Sequence, residues 1–410
     1  MPKLSKKGID IPVSPIRKLV AFSEQAKARG VKVLHLNIGQ PDIEAPKVAL
    51  DAVKNSNLKL LPYGPSQGNF SYRKKLSKYY SKHNININAE DILITTGASE
   101  ALTFVLNSIC DAEDEIIIPE PFYANYNGFA SASSVKVVPI ASEFNNQFQL
   151  PSLENIDSKI TPKTKAILLC NPSNPTGYVY SKLEINTLCE LSIRKNIFLI
   201  VDEVYREFIN GDIEHYSVLR HQEGHKHTIM IDSVSKRYSL CGARVGCIVS
   251  KNKLLIQNLL KFAQLRLSPP TYALIASEAA LDAPDSYLKK VISEYSKRRN
   301  ILIKALEEIP DVKVSHPMGA FYCMVKLPID DAENFSKFLL TSFEDEGQTV
   351  MLAPATGFYS TPGYGKNEVR VAFVLNEKKL LRAAKIIRKG IKEYNKIYVS
   401  PVVWLKKIFL

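Results

Sequence analysis

Between residues 50 and 290 the chain repeats one pattern: a short, nearly continuous apolar run followed by a longer amphipathic stretch. DILITT precedes SEALTFVLNSI, EIIIP precedes YANYNGFAS, KAILLCNP precedes KLEINTLCELSI, and the runs IFLIVDE, HTIMIDSVS and VGCIVS follow. Runs apolar at every position belong to strands buried on both faces, and helices between such strands supply the cover. The expectation is an α/β fold on a mostly parallel sheet. In sheets of this kind chemistry lies beyond the carboxyl ends of the strands. The polar residues fall there: Gly97 and Ser99 after DILITT, Asn171 and Asn174 after KAILLC, Asp202 and Glu203 after IFLIV, and Asp232, Ser233, Ser235 and Lys236 after HTIMI.

A charged helical stretch, SYLKKVISEYSKRRNILIKALEEI, leads into a second region with strand patterns GAFYCMVKL and EVRVAFVL. Residues 1–48 are rich in Pro and Lys and contain a strand pattern, VKVLHLNIG. The expected division is an N-terminal arm that contributes to a small domain (1–48), a large domain (49–290), and a small C-terminal α+β domain (291–410). A chain of 410 residues accommodates two or three compact units.

Composition removes several classes of function. Hydrophobic residues are 45% and charged residues 23%, which fits a globular chain and neither a disordered nor a fibrous one. Lys and Arg outnumber Asp and Glu by 54 to 41, a net charge of +13. That charge is spread along nearly every expected helix, so nucleic-acid binding is not expected. Six cysteines form no CxxC pair and several sit in apolar runs, so neither disulfides nor a metal site is expected. No apolar run reaches the roughly 20 residues of a membrane span, and the basic start lacks a following apolar segment, so no membrane association is expected and the location read is cytoplasmic.

Five segments hold residues suited to chemistry. In IDSVSKRYSLCGARVG, Lys236 follows an apolar strand, where desolvation favours the free amine and makes it a nucleophile able to hold a carbonyl as a Schiff base; a surface lysine at a strand end is the competing reading. Ser233, Ser235 and Arg244 lie close by and suit a phosphate. In ILITTGASEALTFVL a strand turns through Gly97 into a helix whose first amides, at Ala98 and Ser99, can bind phosphate or serve only as a cap. Asp202 ends an apolar strand and needs a partner if buried, either a protonated ring nitrogen of a cofactor or a structural cation; Tyr205 lies three residues on. CNPSNPTGYVY is a Pro-punctuated loop that can fix Asn174. Arg370 interrupts EVRVAFVL on the face opposite Val369, Val371 and Phe373, either gripping a carboxylate or facing solvent. His221, His225 and His227 read as a solvated loop, and GARVG precedes its strand instead of following it, which disfavours a dinucleotide site.

These pieces, in this order, resemble the fold type I pyridoxal phosphate (PLP) enzymes, specifically the class I/II aminotransferases of the aspartate aminotransferase type, from about residue 15 to 390. The motifs that carry the likeness are NPxNPTG at 171–177, DEVY at 202–205 and SxSKxYxxxGxRxG at 233–246. The resemblance implies PLP as cofactor, held covalently by Lys236, with Asp202 on the pyridinium nitrogen and Asn174 and Tyr205 on the phenolic oxygen. Ser233, Ser235, Arg244 and the amides of Ala98 and Ser99 would form the phosphate cup, and Tyr123 would stack on the ring. Arg370, with the backbone at Gly39, would hold the substrate α-carboxylate. Tyr63, in YGPSQG, would reach the phosphate of a neighbouring subunit, implying a homodimer with shared sites. The activity implied is transfer of an amino group from an L-amino acid, aspartate among the options, to a 2-oxo acid such as 2-oxoglutarate by a ping-pong route. A PLP-dependent lyase, decarboxylase or synthase on the same fold is the alternative, and a non-catalytic ligand sensor the remote one. No second arginine for a side-chain carboxylate is identifiable. The stretch around Trp404 is expected to pack on the small domain, with a subunit or membrane-surface contact as the other option.

Overall fold

The computed structural model describes residues 2–399, so Trp404 and the packing expected of it lie outside the described residues. Thirteen strands appear in chain order: β1 (Lys32–His35), β2 (Ile92–Thr95), β3 (Glu115–Glu120), β4 (Lys136–Ala141), β5 (Thr164–Cys170), β6 (Phe198–Asp202), β7 (Thr228–Ser233), β8 (Gly246–Val249), β9 (Lys313–Val314), β10 (Tyr322–Lys326), β11 (Gln348–Met351), β12 (Ala353–Pro354) and β13 (Glu368–Ala372). The large sheet has the order β2-β8-β7-β6-β5-β3-β4. β8 alone runs antiparallel to its neighbours there.

The apolar runs form this sheet because they are covered on both sides. β7 is buried at every position and β6 at every position but its first, and the side chains divide into two large core clusters. The helices between them carry their own start and stop signals. Lys182–Lys195 opens with a capping box between Ser181 and Glu184 and closes on Asn196 in the left-handed conformation. β4 lacked a clear sequence signal because it is an edge strand, only partly buried and interrupted by Pro139.

Beyond residue 312 a four-stranded antiparallel sheet forms in the order β12-β13-β10-β9. β11 pairs instead with β1, in parallel, so the N-terminal segment is joined to the C-terminal region by backbone hydrogen bonds. Helix Asp285–Glu307 packs along helix Glu377–Tyr394 beside these strands. All six cysteines are free. Among the described residues no helix is long and apolar enough to cross a membrane.

Candidate active site

Of the residues to which the resemblance gives a role, all but one line a single cavity of about 600 Å³ beyond the carboxyl ends of β2, β5, β6 and β7, whereas Gly97, Asn171, Glu203 and Asp232 lie behind its wall. The exception is Tyr63, which is 80% exposed and lies away from that cavity.

Lys236 sits in the one-turn helix Val234–Arg237 that follows β7, half-buried, and its Nζ donates to the Gly39 carbonyl at 3.0 Å. Asp202, the last residue of β6, is buried; one carboxylate oxygen accepts from the Tyr126 hydroxyl at 3.0 Å and the other from the Val204 N–H at 3.3 Å. Burial pushes its carboxyl up from 3.8 to about 6, against the pull of those two donors. No guanidinium or ammonium reaches Asp202 within ion-pair distance among the described residues, so the structural-cation reading of this residue does not hold.

Ser233, Ser235, Arg244, Ala98 and Ser99 line the same cavity. Helix Gly97–Ile109 begins there, and its first amides have no partner within the helix, as at any helix start. The backbone is drawn in tightly. A Cβ on Gly246 would lie 2.7 Å from the Gly97 carbonyl carbon and 2.8 Å from the Ala98 nitrogen, and Gly97, at φ +79°, has Arg244 Nη2 where its own Cβ would be. Only glycine permits this approach, which leaves a guanidinium and free amides facing one small volume. The donor set fits a phosphate.

Arg370, on β13, is 1% exposed. The strand alternation does separate it from Val369 and Val371, but that face is covered rather than solvated. Nη1 donates to Asn174 Oδ1 at 2.9 Å and Nη2 to the Asn37 carbonyl, while Nε has no partner among the described residues. Tyr205 is buried, Tyr123 lines the wall, and both rings lie in reach of the same space.

The sequence reading missed two residues. Tyr126, which holds Asp202, stands three residues beyond Tyr123, a spacing that sets the two tyrosines near each other but does not point to Asp202 as the partner. Tyr322 lines the cavity from β10, with its hydroxyl 2.7 Å from that of Tyr205. Its membership could be read only once the β10–β13 register was known, because register decides which strand face it shares with Arg370.

A buried carboxylate lacking a cation, a lysine beside it, a cluster of anion-binding donors and a buried arginine match what PLP and an amino acid present. The family model for aminotransferase class I and II matches residues 31–387. An aspartate aminotransferase of Pyrococcus horikoshii is 30% identical over 394 residues, covering 95% of this chain and 97% of that protein. A (5-formylfuran-3-yl)methyl phosphate transaminase of Methanocaldococcus jannaschii is 30% identical, with 90% and 94% covered. Among solved structures, aspartate aminotransferase from Thermus thermophilus with maleate superposes with a TM-score of 0.87 at 25% identity, covering 95% of this chain and all of that one. Alanine aminotransferase from Pyrococcus furiosus gives 0.86 at 29%, with the same coverage. The match spans nearly every described residue and every strand of the three sheets, and on it the chain is a member of the class I and II aminotransferases, enzymes that depend on PLP.

Proposed function

We propose that this aminotransferase moves the amino group of an L-amino acid to a 2-oxo acid such as 2-oxoglutarate, in two half-reactions at the one cavity. Arg370 carries this reading: a buried guanidinium, held from two sides through one N–H on each Nη and with Nε unpartnered among the described residues, lines the same cavity as Lys236. Bidentate recognition of an α-carboxylate suits that geometry. Aspartate heads the panel of donors because several relatives bear that name, while the alanine enzyme among the neighbours shows that the same fold takes others.

PLP bound here supplies an electron sink for the pair released when the substrate Cα–H bond breaks. Lys236 would hold the cofactor covalently until the amine of the substrate displaces it, and its freed Nζ would then be the base that takes the Cα proton and the acid that gives it back; such general acid–base transfer contributes typically about 10²–10⁴ in rate. Asp202 keeps a proton on the ring nitrogen, and Tyr126 holds Asp202 in place. Tyr205 and Asn174 address the phenolic oxygen, Tyr123 covers the ring, and Ser233, Ser235, Arg244 and the amides of Ala98 and Ser99 take the phosphate. Gly39 offers its backbone to the substrate carboxylate beside Arg370.

The active unit of this reading is a homodimer, and its large body spans 49–290 with 1–48 and 291–410 forming the smaller one. Leu58, Leu60, Leu61 and Tyr63 are exposed on one segment, and Leu265, Leu267 and Tyr272 on the segment beside it, where Arg266 donates to the Ser66 carbonyl at 2.9 Å. Exposed apolar side chains grouped in this way support an interaction face, and the exposure of Tyr63 among them is compatible with the role of reaching a partner's site.

The test is a panel of L-amino acids with 2-oxoglutarate, read as loss of visible absorbance on adding donor and its recovery on adding acceptor. Arg370→Ala should weaken all donors alike, by about 10²-fold in kcat/KM. Release of ammonia or carbon dioxide without amino transfer, or a selective effect of the Arg370 change, would refute the assignment.

A further inference from the structure

Tyr322 touches three parts of the site at once. Its ring centroid lies 4.2 Å from the Arg370 guanidinium carbon. Its hydroxyl is 2.7 Å from the Tyr205 hydroxyl. A Cβ on Gly39 would collide with that same hydroxyl, and the Gly39 carbonyl accepts from Lys236. The strand pairing explains the arrangement: Met324 lies opposite Arg370 and Tyr322 opposite Ala372, so Tyr322 and Arg370 are diagonal neighbours on one face of the sheet. Both tyrosines are buried, so a lost partner can be replaced only from within the cavity they line.

The hydrogen-bond inventory then fixes a direction. Each phenol has one O–H to give. If Tyr205 gives its proton to the cofactor's phenolic oxygen, its bond to Tyr322 exists only with Tyr322 as donor. A donor behind Tyr205 polarises it and strengthens the bond it makes in front.

We propose that Tyr322 is a positioning residue for both ends of the bound amino acid, its ring setting Arg370 for the carboxylate and its hydroxyl donating to Tyr205 so that Tyr205 faces the cofactor oxygen. The inference rests on the PLP reading of the site. It divides one side chain into two separable tasks, ring and hydroxyl.

The experiment uses the PLP-loaded enzyme and its Tyr322→Phe and Tyr322→Leu variants. Two quantities are read besides turnover: the midpoint of the pH titration of the visible absorbance, and the Kd of succinate, an unreactive carboxylate. The charged and titratable groups around Tyr205 and Lys236 include Arg370, Tyr322, Asp202 and the Cys170 and Cys241 thiols, and only Tyr322 changes. Tyr322→Phe keeps the ring, so the succinate Kd should stay within about twofold. The phenolic oxygen, less well stabilised, should let the lysine–PLP linkage hold its proton to higher pH, moving the midpoint up by roughly half to one unit, the size of one hydrogen bond's net contribution. kcat should fall about three- to tenfold with KM nearly unchanged. Tyr322→Leu should show the same spectral shift and in addition bind succinate about tenfold more weakly, because the cation–π contact is gone. Should the Leu variant not fold, Tyr322→Met deletes the ring with less volume lost. A Tyr322→Phe midpoint equal to wild type, or a ring-deletion variant that binds succinate as tightly as Tyr322→Phe, overturns this inference alone. Wild-type protein that gains no visible absorbance with PLP overturns the reading beneath it as well.

Discussion

Asp202 shows how one residue's environment sets its chemistry. Burial at the end of β6 raises its carboxyl from 3.8 to about 6, because the charged form has lost water and gained only two neutral donors. In PLP-free protein the folded state therefore binds more protons than the unfolded state between those two values. Stability from this group is fully present below about pH 4 and is lost as pH rises through 6, by about 3 kcal/mol in total. Asp202→Asn removes the ionisation: its PLP-free form should lack that part of the slope in urea melts between pH 4 and 7 and be at least as stable as wild type at pH 8, while transaminase activity falls 10²-fold or more. An unchanged pH slope would show that Asp202 is not a buried, unpaired acid. That Asp202 mattered was visible in the sequence, since a carboxylate closing an apolar strand needs a reason. That Tyr126 holds it was not, because helix Asn125–Ala132 meets β6 only in three dimensions.

At the scale of elements, the connection from β7 to β8 concentrates the site. Ser233 pairs with Gly246 across the two strands, so everything between them, Lys236 and Arg244 included, projects from one end of the sheet as a closed loop. An antiparallel return makes this possible; a parallel crossover would have carried the chain to the far end first. The loop is fastened from below. Arg237, 1% exposed, pairs with Asp232, which also accepts from the Tyr80 hydroxyl at 2.7 Å. Arg237→Met would leave Asp232 buried without its cation and should cost about 3–5 kcal/mol in denaturant unfolding. Arg237→Met with Asp232→Asn should recover much of that loss, and a double variant no more stable than the single one would show that the pair does not act as a unit. Sequence pattern located both strands and the motif between them; the antiparallel direction of β8 is a matter of pairing, on which apolar periodicity is silent.

For the whole molecule, the exposed apolar segments at 58–63 and 265–272 predict self-association. Sedimentation should give twice the mass of the 410-residue chain. Leu60→Asp with Leu61→Asp should shift that mass toward the monomer at micromolar concentration and lower activity by about tenfold or more, since Tyr63 would lose its partner site. A wild-type chain that sediments as a monomer with full activity would remove both the dimer and the role given to Tyr63.

Local spacing alone set the α/β class, the strand-end placement of polar residues and the motifs around Asn174, Asp202 and Lys236, because periodicity and motif order are properties of neighbouring residues. Tertiary structure decided which distant segments meet. It seated Arg370 against Asn37 and Asn174, paired β1 with β11, and brought Tyr322 beneath Arg370 and against Tyr205. Those contacts join residues from about fifty to more than three hundred positions apart, and their free energy arises from burial and register, which no short window of the chain encodes.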